Sequence, residues 1–248
     1  MSGFFRFPHT PHLAWLGSGP VRGDKVFTPQ EAQTFLRQPV SIEEKLDGAN
    51  IGLSLSDDGG LRIQQRGDYL QPPFSGQFSR LGQWLAVHSR AIKAFLGEPG
   101  HSDLVLFGEW CAARHSVAYT HLPDPFVLFD IADPTSGRFW SRARRNAAAA
   151  QLGLATVPLL QADAHHTLAE LRQQLERFDS RYHPGPPEGL ILRQDDEHWC
   201  LARAKLVRSG FTQAIAEHWR ERPLEWNGID YTAPAPSPSI SPSPRPRP

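Results

Sequence analysis

Glu43-Glu44-Lys45-Leu46-Asp47-Gly48-Ala49-Asn50, with the strand-like Ile51-Gly52-Leu53-Ser54-Leu55 directly after it, is the stretch on which the reading of the fold turns. Residues two apart on a strand share a face, so Lys45 and Asp47 can point into one cavity. Gly48 has no Cβ, which lets a ligand approach the backbone closely. A lysine is a nucleophile only once its ammonium has given up a proton, and burial or a nearby cation encourages that. The pattern therefore reads as a reactive amine at the lip of a strand. Three fixed residues recur by chance in roughly one chain in twenty of this length at average composition, so the remainder of the chain has to carry the case.

Downstream, strands over residues 49–55 and 61–65 are joined by Asp57-Asp58-Gly59-Gly60, a hairpin signal. Arg66 leaves the second strand where its guanidinium can return to the mouth that holds Lys45. Residues 67–78 read as a loop. Leu81, Trp84, Leu85, Ile92, Phe95 and Leu96 give residues 79–96 the spacing of an amphipathic helix, which Gly97, Pro99 and Gly100 end. Residues 104–110 are an apolar strand that closes on Glu109, and an acid there is costly unless it meets a cation, a metal or a hydroxyl. The polar run Ala113-Arg114-His115-Ser116-Val117-Ala118-Tyr119 is expected to fold over the pocket.

Residues 126–131 are another apolar strand, interrupted by Asp130, and residues 139–152 read as a helix. Its Arg142, Arg144 and Arg145 fit a solvated face better than a binding track for an anionic polymer. A short strand over 156–160 and a charged amphipathic helix over 168–178 follow. Pro184-Gly185-Pro186-Pro187 turns the chain into Glu188-Gly189-Leu190-Ile191-Leu192-Arg193, and Asp195-Asp196-Glu197 makes a second hairpin tip. On the final strand, residues 199–208, Arg203 and Lys205 share a face. A brief helix is expected over 212–220.

Upstream, residues 1–28 hold Phe4, Phe5 and Phe7 among prolines, which suggests an extended segment pinned to the body by its rings. His9 and His12 read equally well as surface groups or as packing. Thr28, Pro29 and Glu31 mark the start of a helix over residues 29–37. The body is expected to span residues 29–228. Residues 233–248 are low-complexity Pro/Ser repeats with no core to bury, read as a disordered, polyproline-like tail.

Lys+Arg and Asp+Glu are equal at 26 each. Formal neutrality argues against coating nucleic acid by bulk charge but leaves room for a local basic groove. Cys111 and Cys200 stand far apart without metal-ligand spacing and read as reduced thiols. No stretch has the apolar length of a membrane span and the N-terminus has no secretory pattern, so a soluble, cytoplasmic protein without membrane contact is expected.

Taken in order, Lys-x-Asp-Gly, a strand-end Arg, Gly108-Glu109-Trp110, Phe129-Asp130-Ile131, Glu188-Gly189-x-x-x-Arg193 and a basic strand resemble the ATP-dependent RNA ligase family. That family belongs to the covalent nucleotidyltransferases, with DNA ligases and mRNA capping enzymes. The resemblance runs over residues 5–219. It extends to Pro8-His9-Thr10-Pro11-His12-Leu13, His115-Ser116-Val117-Ala118-Tyr119, Thr156-Val157-Pro158 and Ala204-Lys205-Leu206-Val207-Arg208, which are similar to segments of a group of bacterial RNA-ligase-like proteins. Asn50, in Lys-x-Asp-Gly-x-Asn, favours the RNA ligase branch.

The resemblance implies an α+β nucleotidyltransferase domain, the ATP-grasp-like adenylation domain of ligases. Two antiparallel β-sheets with flanking helices would hold the nucleotide between them, without an OB-fold. It implies that Lys45 attacks the α-phosphate of ATP and carries AMP, which passes to an RNA 5′-phosphate before a 3′-OH seals the strand. Asp47, Gly48 and Asn50 would lie near the lysine and ribose, and Glu44 near the base. Arg66 would hold a nucleotide hydroxyl or phosphate, Glu109 would accept from the ribose 2′-OH, and Phe129 would stack on adenine. Glu188 would bind Mg²⁺ or Mn²⁺, while Lys205, with Arg203, would neutralise the α-phosphate. An end-healing kinase or phosphatase is an implied partner. The residues alone leave simpler readings open: Glu109 and Glu188 as ion-pair partners of Arg66 or Arg203, and Phe129 as core.

Two departures matter. Relatives often carry Lys-x-Lys where this chain has Arg203-Ala204-Lys205, so the register of that motif is open. The stretch after Lys205 is too short for an OB-fold or a large C-terminal RNA-binding domain. With Arg203 this motivates an alternative, an RNA-end sensor that seals weakly or not at all, and it counts against a third, a DNA ligase or capping-type transferase.

Overall fold

β1 (Val40–Lys45) alternates apolar and polar residues, and that alternation divides the molecule into a helix-covered back and a cleft-facing front. Val40 and Ile42 point to the back. There they pack with Leu190, Leu192 and Leu206 against Phe35 of α1 (Pro29–Phe35) and Leu171 and Leu175 of α4 (Leu168–Arg177). Ser41, Glu43 and Lys45 take the opposite face. Burying an aliphatic side chain as completely as Ile42, at 0% exposed, contributes about 1.5–3 kcal/mol. The register of β1 is therefore fixed by its apolar face, and its polar face follows. The computed structural model describes residues 4–17, 23, 25–214, 223–230 and 232. The Pro/Ser-rich stretch lies outside the described residues.

The other strands are β2 (Ala49–Leu55), β3 (Leu61–Gln64), β4 (Tyr69–Leu70), β5 (Val105–Trp110), β6 (Phe126–Asp133), β7 (Arg138–Trp140), β8 (Ala155–Thr156), β9 (Leu159–Ala164), β10 (Gly189–Asp195) and β11 (Trp199–Val207). They pair in the order β4-β3-β2-β5-β6-β7-β11-β10-β1-β9, with β8 parallel beside β6. The two antiparallel halves implied by the resemblance are thus present, and β7 stitches them into one ladder. It meets β6 at Ala132 and Asp133, and β11 at Trp199 and Cys200. In the first half, Ile51, Leu53, Leu106, Phe126 and Leu128 pack on α2 (Leu81–Leu96) and α3 (Arg142–Leu152). Phe107 faces the cleft with Phe7, Phe129 and Phe139 around it.

Helix starts follow local chemistry. Thr28 and Glu31 close a capping box on α1, and Thr167 and Glu170 close another on α4. The helix expected from residue 139 begins at Arg142 instead. Ser141 caps it by accepting from the Arg144 amide, while residues 138–140 are drawn into β7 between two unfilled strand edges. α3 ends at Gly153, whose φ of 65° is the left-handed value that favours glycine. The strand expected over 156–160 is split into β8 and β9, with Pro158 between them offering its carbonyl to the Glu44 amide at 2.9 Å. Of the closing helix, α5 (Ser209–Ala214) is described and starts earlier than expected; residues 215–220 lie outside the described set.

Two segments beyond the sheet matter for the site. Residues 4–13 run extended over the cleft-facing aromatic rings. Residues 225–230 run under the 111–122 loop, bridging Ala113 to Trp226 and Leu122 to Ile229.

Candidate active site

Lys45 is the last residue of β1 and opposes Gly189 at the start of β10. Its Nζ lies 2.6 Å from Glu188 Oε2, with the lysine side chain 26% exposed and the glutamate 8%. The amine is therefore the more exposed of the two. Glu109, on β5, completes the group: its Oε1 accepts from the Gly48 amide at 3.1 Å. Three residues distant in sequence, Lys45, Glu109 and Glu188, thus meet at one point.

Their electrostatics are unbalanced. Burial pushes Glu109 up from 4.5 to about 7, and the neighbouring Glu188 and Asp47 charges add to that while Lys45 opposes it. Burial likewise lifts Glu188 to about 7, with Lys45 and Lys205 among the groups pulling the other way. Burial alone would lower the Lys45 amine, but Glu188, Glu109 and Asp47 outweigh it and hold the amine above its usual value. Without a ligand, Lys45 is an ammonium.

Asp47 and Gly48 do something other than the sequence suggests. Asp47 Oδ2 accepts from the amides of Ser116 at 2.7 Å and Val117 at 2.8 Å, and the Asp47 amide donates to Tyr119 Oη at 2.8 Å. Its carboxylate fixes the 115–119 loop and acts on Lys45 only as a nearby charge. A Cβ on Gly48 would lie 2.6 Å from the Trp110 carbonyl oxygen. The absence of a side chain lets β5 pack directly against the backbone here. Behind the loop, buried Asn227 donates to the carbonyls of Cys111 and Ala113 and accepts from the Tyr119 amide. The run ending in Tyr119 was marked in the sequence as a loop over the pocket, but no linear pattern announced Asn227, which acts on backbone groups more than 100 residues away in sequence.

Glu44 is one residue from Lys45 and so faces the back. There it accepts from Ser180 Oγ at 2.5 Å and the Arg181 amide at 2.9 Å, and burial raises its pKa. The carboxylate expected near the base is an anchor for the loop after α4. Asn50 opposes Glu109 across β2 and β5 and is half-buried. Arg66 is exposed in the bend between β3 and β4.

Phe129 is half-buried, its ring edge-on to Phe7 with centroids 5.1 Å apart. The register between β5 and β6 shifts there: Phe107 opposes Asp130 but Gly108 opposes Leu128. Phe129 is the extra residue of a bulge, which turns both it and Asp130 toward the cleft. Core packing and cleft exposure are therefore both true of Phe129.

Lys205 and Arg203 separate. The cross-strand row of Lys205 contains Ile191 and Glu43, adjacent to the row of Lys45; Arg203 lies one row further, opposite Arg193. Arg203 pairs with Asp130 Oδ2, and its guanidinium carbon sits 3.9 Å from the Phe139 ring centre and 4.5 Å from that of Phe7. Lys205 is the cation of the two whose charge acts on Glu188.

Beneath these rows lies a network the sequence did not disclose. Arg145 Nη2 meets Glu43 Oε1 at 2.5 Å, and Arg193 Nη1 meets Asp130 Oδ1 at 2.7 Å, while Arg193 Nη2 lies 3.4 Å from Asp195. Arg145 is 0% exposed, so the expectation of a solvated arginine face fails there. Arg144 also departs from it, stacking 3.7 Å over Trp140. The missed signal was Glu43, two residues before Lys45 and hence on the same face.

Among the described residues no group of three or more His, Cys, Asp or Glu side chains could hold a metal ion. Glu188 is a hard oxygen donor beside the Lys45 amine, a donor type that fits Mg²⁺ or Mn²⁺ carried mainly by phosphates with one carboxylate from the protein. Among the described residues no helix is long and apolar enough to cross a membrane.

A family model described as RNA ligase matches residues 38–207. No curated protein matches. Among solved structures, the fold is similar to an archaeal ATP-dependent RNA ligase, with a TM-score of 0.56 and 21% identity over 83% of this chain and 49% of that one. It is also similar to the Naegleria gruberi RNA ligase, both in a point mutant with ATP and Mn (TM-score 0.55, 18% identity, 88% of this chain and 64% of that one) and in an apo point mutant (0.52, 18%, 73% and 52%). This chain spans about half the length of the first of these solved ligases it matches. At identities this low the likeness establishes the fold alone.

Proposed function

The chain belongs to the RNA ligase family, and from that premise we propose that it is an ATP-dependent RNA ligase working through a lysyl-AMP intermediate on Lys45. The observation that carries this reading is the meeting of Lys45, Glu109 and Glu188 at the mouth of the cleft, with Lys205 in the next cross-strand row. Lys45 Nζ attacks the α-phosphorus of ATP, the new N–P bond forms, and pyrophosphate leaves. The amine must first lose a proton, and Glu188 Oε2, at 2.6 Å and with its pKa lifted to about 7, is the adjacent acceptor. Its other oxygen remains for a divalent ion, Mg²⁺ or Mn²⁺, which when bound supplies positive charge to the phosphates. Lys205 offsets the charge that grows on the α-phosphate.

Glu109 accepts from the ribose 2′-OH, Phe129 stacks on the base, and Asn50 and Arg66 lie toward the ribose and phosphate side. Gly48 lets β1 and β5 close around that pocket, and Asp47 and Glu44 hold its loops. AMP then moves from Lys45 to an RNA 5′-phosphate, from which a 3′-OH displaces it. RNA repair in the cytoplasm, beside an end-healing enzyme, completes the reading. The test is incubation with α-labelled ATP and Mg²⁺ followed by a denaturing gel. Label is expected on the wild type and absent from Lys45→Ala; no label on the wild type, or equal label on both, overturns the proposal.

A second reading, an RNA-end sensor that seals poorly, draws on one observation: Arg203 is committed to Asp130 and two aromatic rings, leaving one cation fewer for the phosphates. Pre-adenylylated nicked RNA separates the two. Efficient sealing favours the ligase, and tight binding without sealing favours the sensor; nicked DNA and GTP in parallel test the DNA ligase and capping alternatives.

A further inference from the structure

The family match begins at residue 38, yet residues well before it reach the cleft. β11 pairs with β10 along its length, from Val207 to Cys200, but meets β7 only at Trp199 and Cys200 among the described residues. Past that contact no described pairing joins β7 to β11, and the far edge of β11 would offer its amide and carbonyl groups to solvent. The N-terminal segment fills this position at a single residue. The Lys205 amide donates to the Pro11 carbonyl at 2.9 Å, and the Leu13 amide donates to the Lys205 carbonyl at 2.8 Å. His12, between them, forms a parallel bridge to Lys205 on one side and to Val26 on the other. Its amide donates to the Lys25 carbonyl at 2.8 Å and its carbonyl accepts from the Phe27 amide at 2.9 Å.

The same segment is anchored on the opposite wall. Phe7 is buried, edge-on to Phe107 at 5.0 Å, to Phe129 at 5.1 Å and to Phe139 at 5.5 Å. Residues 7–13 therefore tie the aromatic wall of the first half to Lys205 on the second, a reach of roughly 20 Å for an extended chain of that length. A long, flexible lysine stem acts at a defined point only if its backbone is fixed. Among the described residues, both backbone rungs from the N-terminal segment to β11 fall on Lys205.

We propose that residues 7–13 are a working part of the adenylylation site, with the backbone rung from Pro11 and Leu13 positioning Lys205 against the α-phosphate and Phe7 anchoring that rung across the cleft. The inference rests on the proposed lysyl-AMP chemistry and adds to it a positioning element outside the matched family region.

The test is single-turnover self-labelling of the full chain with saturating α-labelled ATP, where amplitude reports the folded, competent fraction and the rate constant reports positioning. Leu13→Pro removes the amide that holds the Lys205 carbonyl. It is expected to lower the rate constant ten- to a hundredfold while the ATP concentration for half-maximal rate moves less than threefold. A purely structural role would lower the amplitude and leave the rate constant unchanged, which overturns the inference. Should Leu13→Pro fail to fold, Phe7→Ala is read the same way, with a slower rate constant that Phe7→Leu partly restores; an unchanged rate constant in Phe7→Ala overturns the inference. Wild-type protein that does not label at all overturns the parent reading and this one together, whereas normal wild-type labelling with an unaffected variant overturns this one alone.

Discussion

Glu43 and Lys45 stand two residues apart on the same face of one strand, and their surroundings differ in kind. Around Glu43, three arginines, Arg145, Arg193 and Arg203, meet three carboxylates, Glu43, Asp130 and Asp195, with every charge matched. Burial opposes the Arg193 charge, but the surrounding carboxylates outweigh it and hold the guanidinium well above its already high value. Around Lys45, three carboxylates share that lysine and the more distant Lys205, and two of them are pushed to about 7. A balanced buried network has one stable protonation state. An unbalanced one keeps protons mobile near neutrality, which is what a nucleophilic amine requires. Depth does not separate the two groups, since Glu188 and Glu43 are both buried. Charge balance does.

The largest effect that sharpens this contrast is chemical. Lys45→Arg keeps a cation for Glu188 but cannot be deprotonated in a protein. Self-labelling is expected to fall by more than about a thousandfold, while thermal melting changes by no more than a few degrees. A labelled arginine variant would break the assignment of the unbalanced group as the reacting one.

The next effect belongs to the balanced network and appears in stability. Arg145→Met leaves the Glu43 carboxylate buried without its bidentate partner. Removing one member of a buried pair costs about 3–5 kcal/mol, on the order of 10 °C in Tm for a chain this long. Adding Glu43→Leu is expected to recover much of the loss, because an apolar pair of similar volume substitutes well for a buried ion pair. Calorimetry of the single and double variants decides it; no recovery would mean that the network also sets the strand geometry of the site.

Glu109 gives a pH-dependent effect of smaller size. Its pKa is raised in the fold, from 4.5 to about 7, so the folded state binds this proton more tightly than the unfolded chain does. The resulting stability is present in full below about pH 4.5 and is lost as pH rises through about 7. Glu109→Gln stays neutral throughout. The variant is expected to melt higher than the wild type at pH 8, by an amount on the order of 1–3 kcal/mol, with the gap closing toward pH 5. A constant gap across that range would show that Glu109 is not poised near neutrality. The same variant loses the proposed ribose contact, so greater stability and poorer ATP affinity are expected together.

What the sequence disclosed and what it concealed divide along a physical line. Capped helix starts at Thr28 and Thr167, the Asp57–Gly60 hairpin, and the acids at Glu109 and Glu188 are written in local order, because neighbours in the chain produce them. Lys45 and Glu188 meet across 143 residues, and the ordered motifs anticipated that meeting. Side-chain direction depends on register, which no local signal carries. The bulge that turns Phe129 and Asp130 the same way, the row that separates Lys205 from Arg203, and the burial of Arg145 all come from strand pairing at long range. For the same reason no local signal showed that Glu44 holds the loop after α4 or that Gly48 packs against the Trp110 carbonyl.

Asp47 tests the boundary between the two kinds of charge at its finest. It acts on the Lys45 amine by charge, yet one of its oxygens receives two loop amides, from Ser116 and Val117. Asp47→Asn can present its carbonyl oxygen to the same amides, so the loop keeps its contacts, but hydrogen bonds to a charged acceptor are the stronger ones. The expected loss of stability is about 1 kcal/mol. The electrostatic consequence runs the other way. Asp47 is one of the charges that hold Lys45 protonated, so its neutralisation lowers the amine pKa and moves the rise of labelling rate to lower pH. Measured over pH 6–9, a profile displaced toward acid with nearly intact folding would assign Asp47 to both groups at once, as a loop anchor by contact and as a brake on the amine by charge; a profile that moves toward alkali would remove it from the charge balance of the site.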